Sequence, residues 1–234
     1  MAARPGISAH QGGGEVYPEQ TYEAFDHAAR SGAEYVEFDV RRLADGTLVC
    51  YHDPAGLTYG ELCAHAGYEV PTVRRVLELV AGRCRGHIDL KDAGYETEVA
   101  ALALDSLGPD GFVVTSMEDR SLRRIADAFP GVATGLSLGR GVGDVSTRRL
   151  PAAIVTDLFP ADRLRACGAT WAAVNRRLAP WVLTRCVRLG IATMVWTVDR
   201  DDQIVRFLAD PRVDVLVTNR PLHALRRRSQ DHRP

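Results

Sequence analysis

The sequence is short of the features that mark several protein classes. No apolar run in its 234 residues approaches the roughly 18–20 that a membrane-spanning helix needs, and the opening MAARPGISAH lacks the apolar stretch of a secretory signal. Charge of one sign is missing too. Twenty-nine basic against 30 acidic residues leave a net −1, which gives no electrostatic footprint for nucleic acid. The five cysteines (Cys50, Cys63, Cys84, Cys167 and Cys186) are odd in number and form no CxxC, so reduced thiols in a cytoplasm are expected rather than a disulfide framework. Lysine is the scarcest charge: every basic residue except Lys91 is arginine.

What is present is enough for a core. With 46% hydrophobic residues and no repeat or low-complexity linker, one α/β domain over residues 1–225 is expected, followed by a disordered basic tail at 226–234, RRRSQDHRP. Short β-rich runs alternate with helical stretches. The candidate strands are 6–10, 34–40, 47–52, 86–91, 111–116, 133–138, 169–175, 191–198 and 213–218. The candidate helices are 20–31, 72–81, 95–107, 119–128, 160–166, 180–189 and 201–209. Such alternation predicts a parallel sheet with helical crossovers.

Nine strands are one too many for an eight-stranded barrel. The segment 41–46, RRLADG, is too short for a crossover helix and contains an Asp-Gly turn. Residues 34–52 are therefore expected as a β-hairpin at the barrel mouth, leaving eight parallel strands of a (β/α)8 TIM barrel. A doubly wound open sheet is the competing arrangement.

In such a barrel the chemistry lies at the C-terminal ends of the strands. Those ends carry His10, then Glu37 and Asp39, His52 on the returning hairpin, Asp89 and Lys91, and later Trp196 and Asn219. Glu37 and Asp39 share one face of a strand, as do His87, Asp89 and Lys91. An E-x-D pair is commonly a solvated face, but here Val36, Phe38 and Val40 take the other side, so the acids face the barrel interior. Carboxylates converging there need mutual neutralisation or a cation, and Glu, Asp and Asp oxygens suit Mg²⁺ or Ca²⁺ better than zinc. A lone lysine among arginines marks a place where a compact ammonium is wanted. Read separately, His10 could be a satisfied core histidine and His52 the start of a turn. Residues 135–139, G-L-S-L-G, fit a nucleophile elbow at Ser137, but no helix start follows and no suitable histidine lies downstream. Gly139, Gly141 and Gly143 form a glycine-rich stretch without a Rossmann pattern.

The same residues resemble a family. Ala9-His10-Gln11-Gly12-Gly13, Pro18-Glu19-Gln20-Thr21 and Ala24-Phe25 are similar to the H-R-G, P-E-N-T and A-F motifs of the glycerophosphodiester phosphodiesterases. Val36–Val40, Asp45-Gly46 and Tyr51-His52-Asp53-Pro54 resemble E-L-D-V, D-G and H-D-P. Val70-Pro71-Thr72-Val73, Ile88-Asp89-Leu90-Lys91, Thr115-Ser116, Val195-Trp196-Thr197-Val198 and Thr218-Asn219-Arg220-Pro221 continue the series in order to residue 222. The resemblance implies a metal-dependent phosphodiester hydrolase with a divalent cation on Glu37, Asp39 and Asp89. It makes His10 and His52 the acid/base pair, and places Lys91, Gln11, Glu19 and Trp196 around the phosphodiester. A glycerophosphodiester would give glycerol 3-phosphate and an alcohol. Two departures stand out: Gln11 replaces the family arginine, and Asp89 replaces a glutamate. They keep open a different diester, such as a lysophospholipid, or a non-catalytic diester-binding barrel. The short stretch between His52 and Pro71 implies a short or absent capping insertion.

Overall fold

Strands form where β-branched and apolar residues alternate with side chains that have a second surface to fill, and here both surfaces are supplied. The computed structural model describes residues 4–54, 56–139 and 152–230. Its elements run β1 (Gly6–Ala9), α1 (Tyr22–Arg30), β2 (Tyr35–Arg42), β3 (Leu48–Cys50), α2 (Tyr59–Ala66), α3 (Val73–Val80) and β4 (Arg85–Leu90). Then come α4 (Glu96–Leu107), β5 (Phe112–Ser116), α5 (Asp119–Ala128), β6 (Ala133–Leu138), α6 (Ala152–Leu158), α7 (Ala161–Cys167) and β7 (Trp171–Asn175). The chain closes with α8 (Ala179–Arg188), β8 (Ala192–Trp196), α9 (Asp201–Leu208), β9 (Val215–Thr218) and α10 (Pro221–Gln230).

Eight strands pair in parallel in the order β1-β2-β4-β5-β6-β7-β8-β9, and β9 pairs back onto β1. The ring is closed, as a (β/α)8 barrel requires. Strand β3 stands outside it, antiparallel to the end of β2 through Val40↔Cys50, Arg41↔Val49 and Arg42↔Leu48. The hairpin expected at 34–52 is therefore present.

Val36, Phe38, Val40, Ile88, Leu90 and Val114 point outward and pack with the helices in one buried cluster. Burying such a side chain contributes about 1.5–3 kcal/mol, so this outer layer carries most of the apolar stabilisation. Inside the ring the lower half is apolar as well, with Tyr35, Val113, Met194 and Val215. Only the half nearest the strands' C-terminal ends is left to hold polar groups.

Three helices were not expected from sequence. Helix α2 is one of them, capped by a reciprocal Thr58–Glu61 box. It buries Leu62 with Leu43, Val49 and Val70 in a small satellite cluster, so the insertion after the hairpin is one short helix. Helix α6 follows a stretch, 140–151, that lies outside the described residues, as do Gly141 and Gly143 of the glycine-rich stretch. Helix α10 corrects the domain boundary. Residues 226–230 belong to it rather than to a frayed tail, because Arg227 is bound to Asp201 and Arg228 to Glu34 and the Pro5 carbonyl. Residues 231–234 lie outside the described residues. No helix among the described residues is long and apolar enough to cross a membrane.

Candidate active site

The β2–β4 register sets Glu37 opposite His87 and Asp39 opposite Asp89, two steps of one inward face. Oxygens of Glu37, Asp39 and Asp89 consequently lie within 4.8 Å of one another. Lys91, one residue beyond β4, curls back over them. Its ammonium donates to Asp89 Oδ2 at 2.5 Å and lies 2.7 Å from Asp39 Oδ1. Among the described residues, Lys91 is thus the one cationic group against Asp39 Oδ1, a buried oxygen that no neutral donor reaches.

A tight turn, His10–Gly12, follows β1, with Gln11 in the left-handed region at φ 50°. Gly13 follows at φ 79°, where a Cβ would come within 2.7 Å of the Pro221 ring. The turn is therefore pinned against the start of α10. It brings the Gln11 N–H to Glu37 Oε2 at 2.8 Å and puts His10 Nε2 4.0 Å from the same oxygen. The other ring nitrogen, Nδ1, lies 2.6 Å from Asn219 Oδ1.

Charge placement moves the ionisations apart. Burial raises Glu37 well above the ordinary carboxylate range; the Asp39 and Asp89 charges add to this, against Lys91 and the Gln11 N–H. Burial also works to raise Asp39, but the charge of Lys91, with His10 and His52 behind it, reverses this and holds Asp39 low. For Lys91 burial works downward, and Asp89, Asp39 and Glu37 together lift it above the usual lysine value. Burial takes His87 down to about 4, so it is neutral. Its tautomer follows from its neighbours. Thr115 donates its hydroxyl to Asp89 Oδ1 at 2.6 Å, so it accepts from His87 Nε2–H, and His87 Nδ1 accepts from Ser8.

These groups line a cavity of about 310 Å³. One wall is polar, with His10, Gln11, Glu37, His52, Asp89 and Lys91; Met117, Ala173, Trp196 and Val217 form an apolar wall. The Trp196 indole is fixed by its N–H, which donates to the Ala173 carbonyl at 2.8 Å. Of the residues expected at a site, Glu19 and Asp39 do not line the cavity: the Glu19 carboxylate lies over the Gly14 backbone, and Asp39 sits buried against Lys91 and Gln11, which do line it. Gln11 lines the cavity, yet its amide is occupied, donating to Asp39 Oδ2 at 2.7 Å and accepting from Gln20 at 2.9 Å. Ser137 faces Asp89 at 3.4 Å rather than a histidine, which removes the nucleophile-elbow reading. Asp199, which holds Asn219, carries no local mark in the sequence, and Gln20, which holds Gln11, is visible there only as part of the Pro18–Thr21 motif, without a role.

Comparison with known proteins agrees with this arrangement. Residues 10–79 match the Glycerophosphoryl diester phosphodiesterase family. The chain is 25% identical over 245 residues to the glycerophosphodiester phosphodiesterase of Caldanaerobacter subterraneus, covering 92% of this chain and 94% of that one. It superposes on a glycerophosphodiester phosphodiesterase structure from Parabacteroides distasonis at TM-score 0.77 and 20% identity, covering 100% of each chain. A phosphodiesterase of Oleispira antarctica, solved with the product sn-glycerol-3-phosphate, matches at TM-score 0.72 and 17% identity over 96% of each. The closed barrel with its polar end is thus one of the phosphoric diester hydrolases. Within that class, it is the glycerophosphodiester phosphodiesterases that the chain is similar to, by family model over residues 10–79 and by a relative over 92% of its length.

Proposed function

We propose that the protein hydrolyses a glycerophosphodiester to glycerol 3-phosphate and an alcohol, using a divalent cation. The observation that carries this reading is the meeting of Glu37, Asp39 and Asp89 at the cavity that His10 and His52 line. Asp39 Oδ1, buried and facing only the Lys91 ammonium rather than a neutral donor, marks a place for positive charge, and an all-oxygen set suits Mg²⁺ or Ca²⁺. Bound there, the cation would neutralise the non-bridging phosphoryl oxygens as charge builds on them.

The chain's own residues supply the rest. His10 takes or gives a proton at Nε2, since Nδ1 is engaged with Asn219. His52, on the hairpin side of the cavity, serves the opposite proton transfer. Lys91 holds Asp39 and Asp89 together and keeps positive charge beside the phosphoryl group. The apolar wall at Trp196 and Met117 takes the carbon part of the substrate. Five free cysteines, three of them buried, support a reducing, cytoplasmic setting.

The test is a panel of glycerophosphocholine and related diesters incubated with Mg²⁺, Ca²⁺ or chelator, with released glycerol 3-phosphate measured. Chelator-sensitive release is expected. Absence of turnover on every diester would overturn the activity, and turnover indifferent to chelator would overturn the cation.

A further inference from the structure

Among the described residues, only two that are not glycine have positive φ: Gln11 at 50° and Gln20 at 61°. They are bonded to each other twice. The Gln20 N–H donates to the Gln11 carbonyl at 3.0 Å, and Gln20 Nε2 donates to Gln11 Oε1 at 2.9 Å. Beyond Gln11 lies Asp39, whose Oδ2 accepts from Gln11 Nε2 at 2.7 Å. Beyond Gln20 lies the backbone of His52, whose N–H donates to Gln20 Oε1 at 2.7 Å. A backbone N–H can only donate and a carboxylate only accept, so the direction of both amides is set from either end. Reversing one would place two donors or two acceptors face to face. Left-handed backbone at a residue with a side chain costs of order 1 kcal/mol and persists where the surroundings hold it. Here the two strained residues are the two links of one bridge.

His52 has few other constraints. It lies in a bend between β3 and α2, exposed, with its carbonyl accepting from Arg41 Nε at 2.8 Å. We propose that Gln20 is a positioning residue for His52, and that Gln11 ties that position to Asp39. The two glutamines would fix the distance between a proton-transferring group and the acidic cluster without either touching the reacting atoms. This rests on the reading of His52 as a proton-transfer residue, but the bridge can be measured without turnover.

Gln20→Gly and Gln11→Gly are the variants of choice, because glycine accepts positive φ and the substitution removes the amide without straining the backbone. Amide–water exchange at the His52 N–H is followed by NMR on the full chain. Gln20→Gly should speed that exchange about two- to tenfold, the factor corresponding to one hydrogen bond. Gln11→Gly, which does not touch His52, should speed it as well, and the double variant should be no faster than the quicker single one. On glycerophosphocholine, Gln20→Gly should lower kcat roughly tenfold with KM within about twofold. Gln20→Leu, which keeps the bulk, should behave like Gln20→Gly in both measurements. Unchanged exchange at His52 in Gln20→Gly or in Gln11→Gly would overturn the bridge. Altered exchange with kcat unchanged would overturn its role in positioning. A wild-type protein that turns over no diester would instead sink the functional reading while leaving the exchange result intact.

Discussion

Asn219 Oδ1 lies 2.6 Å from His10 Nδ1, and the opposite end of the same amide is held by Asp199. Asp199 accepts from Asn219 Nδ2 at 3.1 Å, from the Asn219 N–H at 2.8 Å and from the Thr218 hydroxyl at 3.1 Å. A carboxylate only accepts, so the amide cannot turn over; its oxygen must face His10, and His10 must carry hydrogen on Nδ1. That leaves Nε2 for the cavity.

Asp199→Ala should therefore release the amide and let His10 populate both tautomers. The expected cost is about tenfold in kcat, within the range for a misdirected proton-transfer group. Imidazole ¹⁵N shifts check the cause: a single Nδ1–H tautomer in the wild type, and a mixture in the variant. A variant that kept one tautomer would refute the assignment.

The acidic cluster gives a second expectation. Glu37→Gln and Asp39→Asn should each abolish cation-dependent turnover while leaving the barrel folded, since both relieve repulsion among buried carboxylates. In the wild type, Mg²⁺ or Ca²⁺ at a hundredfold excess over its Kd should raise Tm by about 5–10 °C through mass action. The same ion should move the Tm of either variant much less.

Gln11 yields a third. Because its amide points at Asp39, an arginine there would lay its charge on that carboxylate beside Lys91. Gln11→Arg should accordingly weaken divalent-cation binding by at least about tenfold, since a unit charge about 5 Å from a divalent ion costs about 1.7 kcal/mol even at the dielectric of bulk water, roughly 80. Calorimetric titration of the variant would show it. Cation affinity equal to wild type would mean that the arginine swings away into the cavity.

His87 sets the response of stability to acid. Its ordinary value near 6.5 applies to the unfolded chain, whereas burial holds it to about 4 in the fold. Below pH 6.5 the unfolded chain takes up a proton that the folded one refuses, so this contribution is complete above about pH 6.5 and is lost as pH falls toward 4. The ceiling is roughly 3 kcal/mol. His87→Gln keeps an acceptor for Ser8 and a donor for Thr115, and its denaturant midpoint should fall less steeply over that window. Equal slopes would show that His87 is not the group responsible.

Much of this was legible from the chain. Period-two alternation separated Val36, Phe38 and Val40 from Glu37 and Asp39, and the same rule grouped His87, Asp89 and Lys91; the strands appear within a few residues of where that pattern puts them. Such patterns are local, because the pleat alone decides which face a side chain takes. Helix α2 escaped notice since its packing is against a satellite cluster too small to impose a clear helical stripe. The end of α10 escaped because an arginine run reads as solvated until Asp201 and Glu34 are brought to it.

Partners were the part that sequence could not supply. That His10 meets Asn219, 209 positions away, follows from β9 closing onto β1. That Lys91 serves Asp39 and Asp89, and that Gln11 faces Asp39 and Gln20, depends on the β2–β4 register and on a left-handed turn. Alternation chooses a face, but only closure of the ring chooses the neighbour, because hydrogen bonds and charge pairs act over a few ångströms in space regardless of separation along the chain.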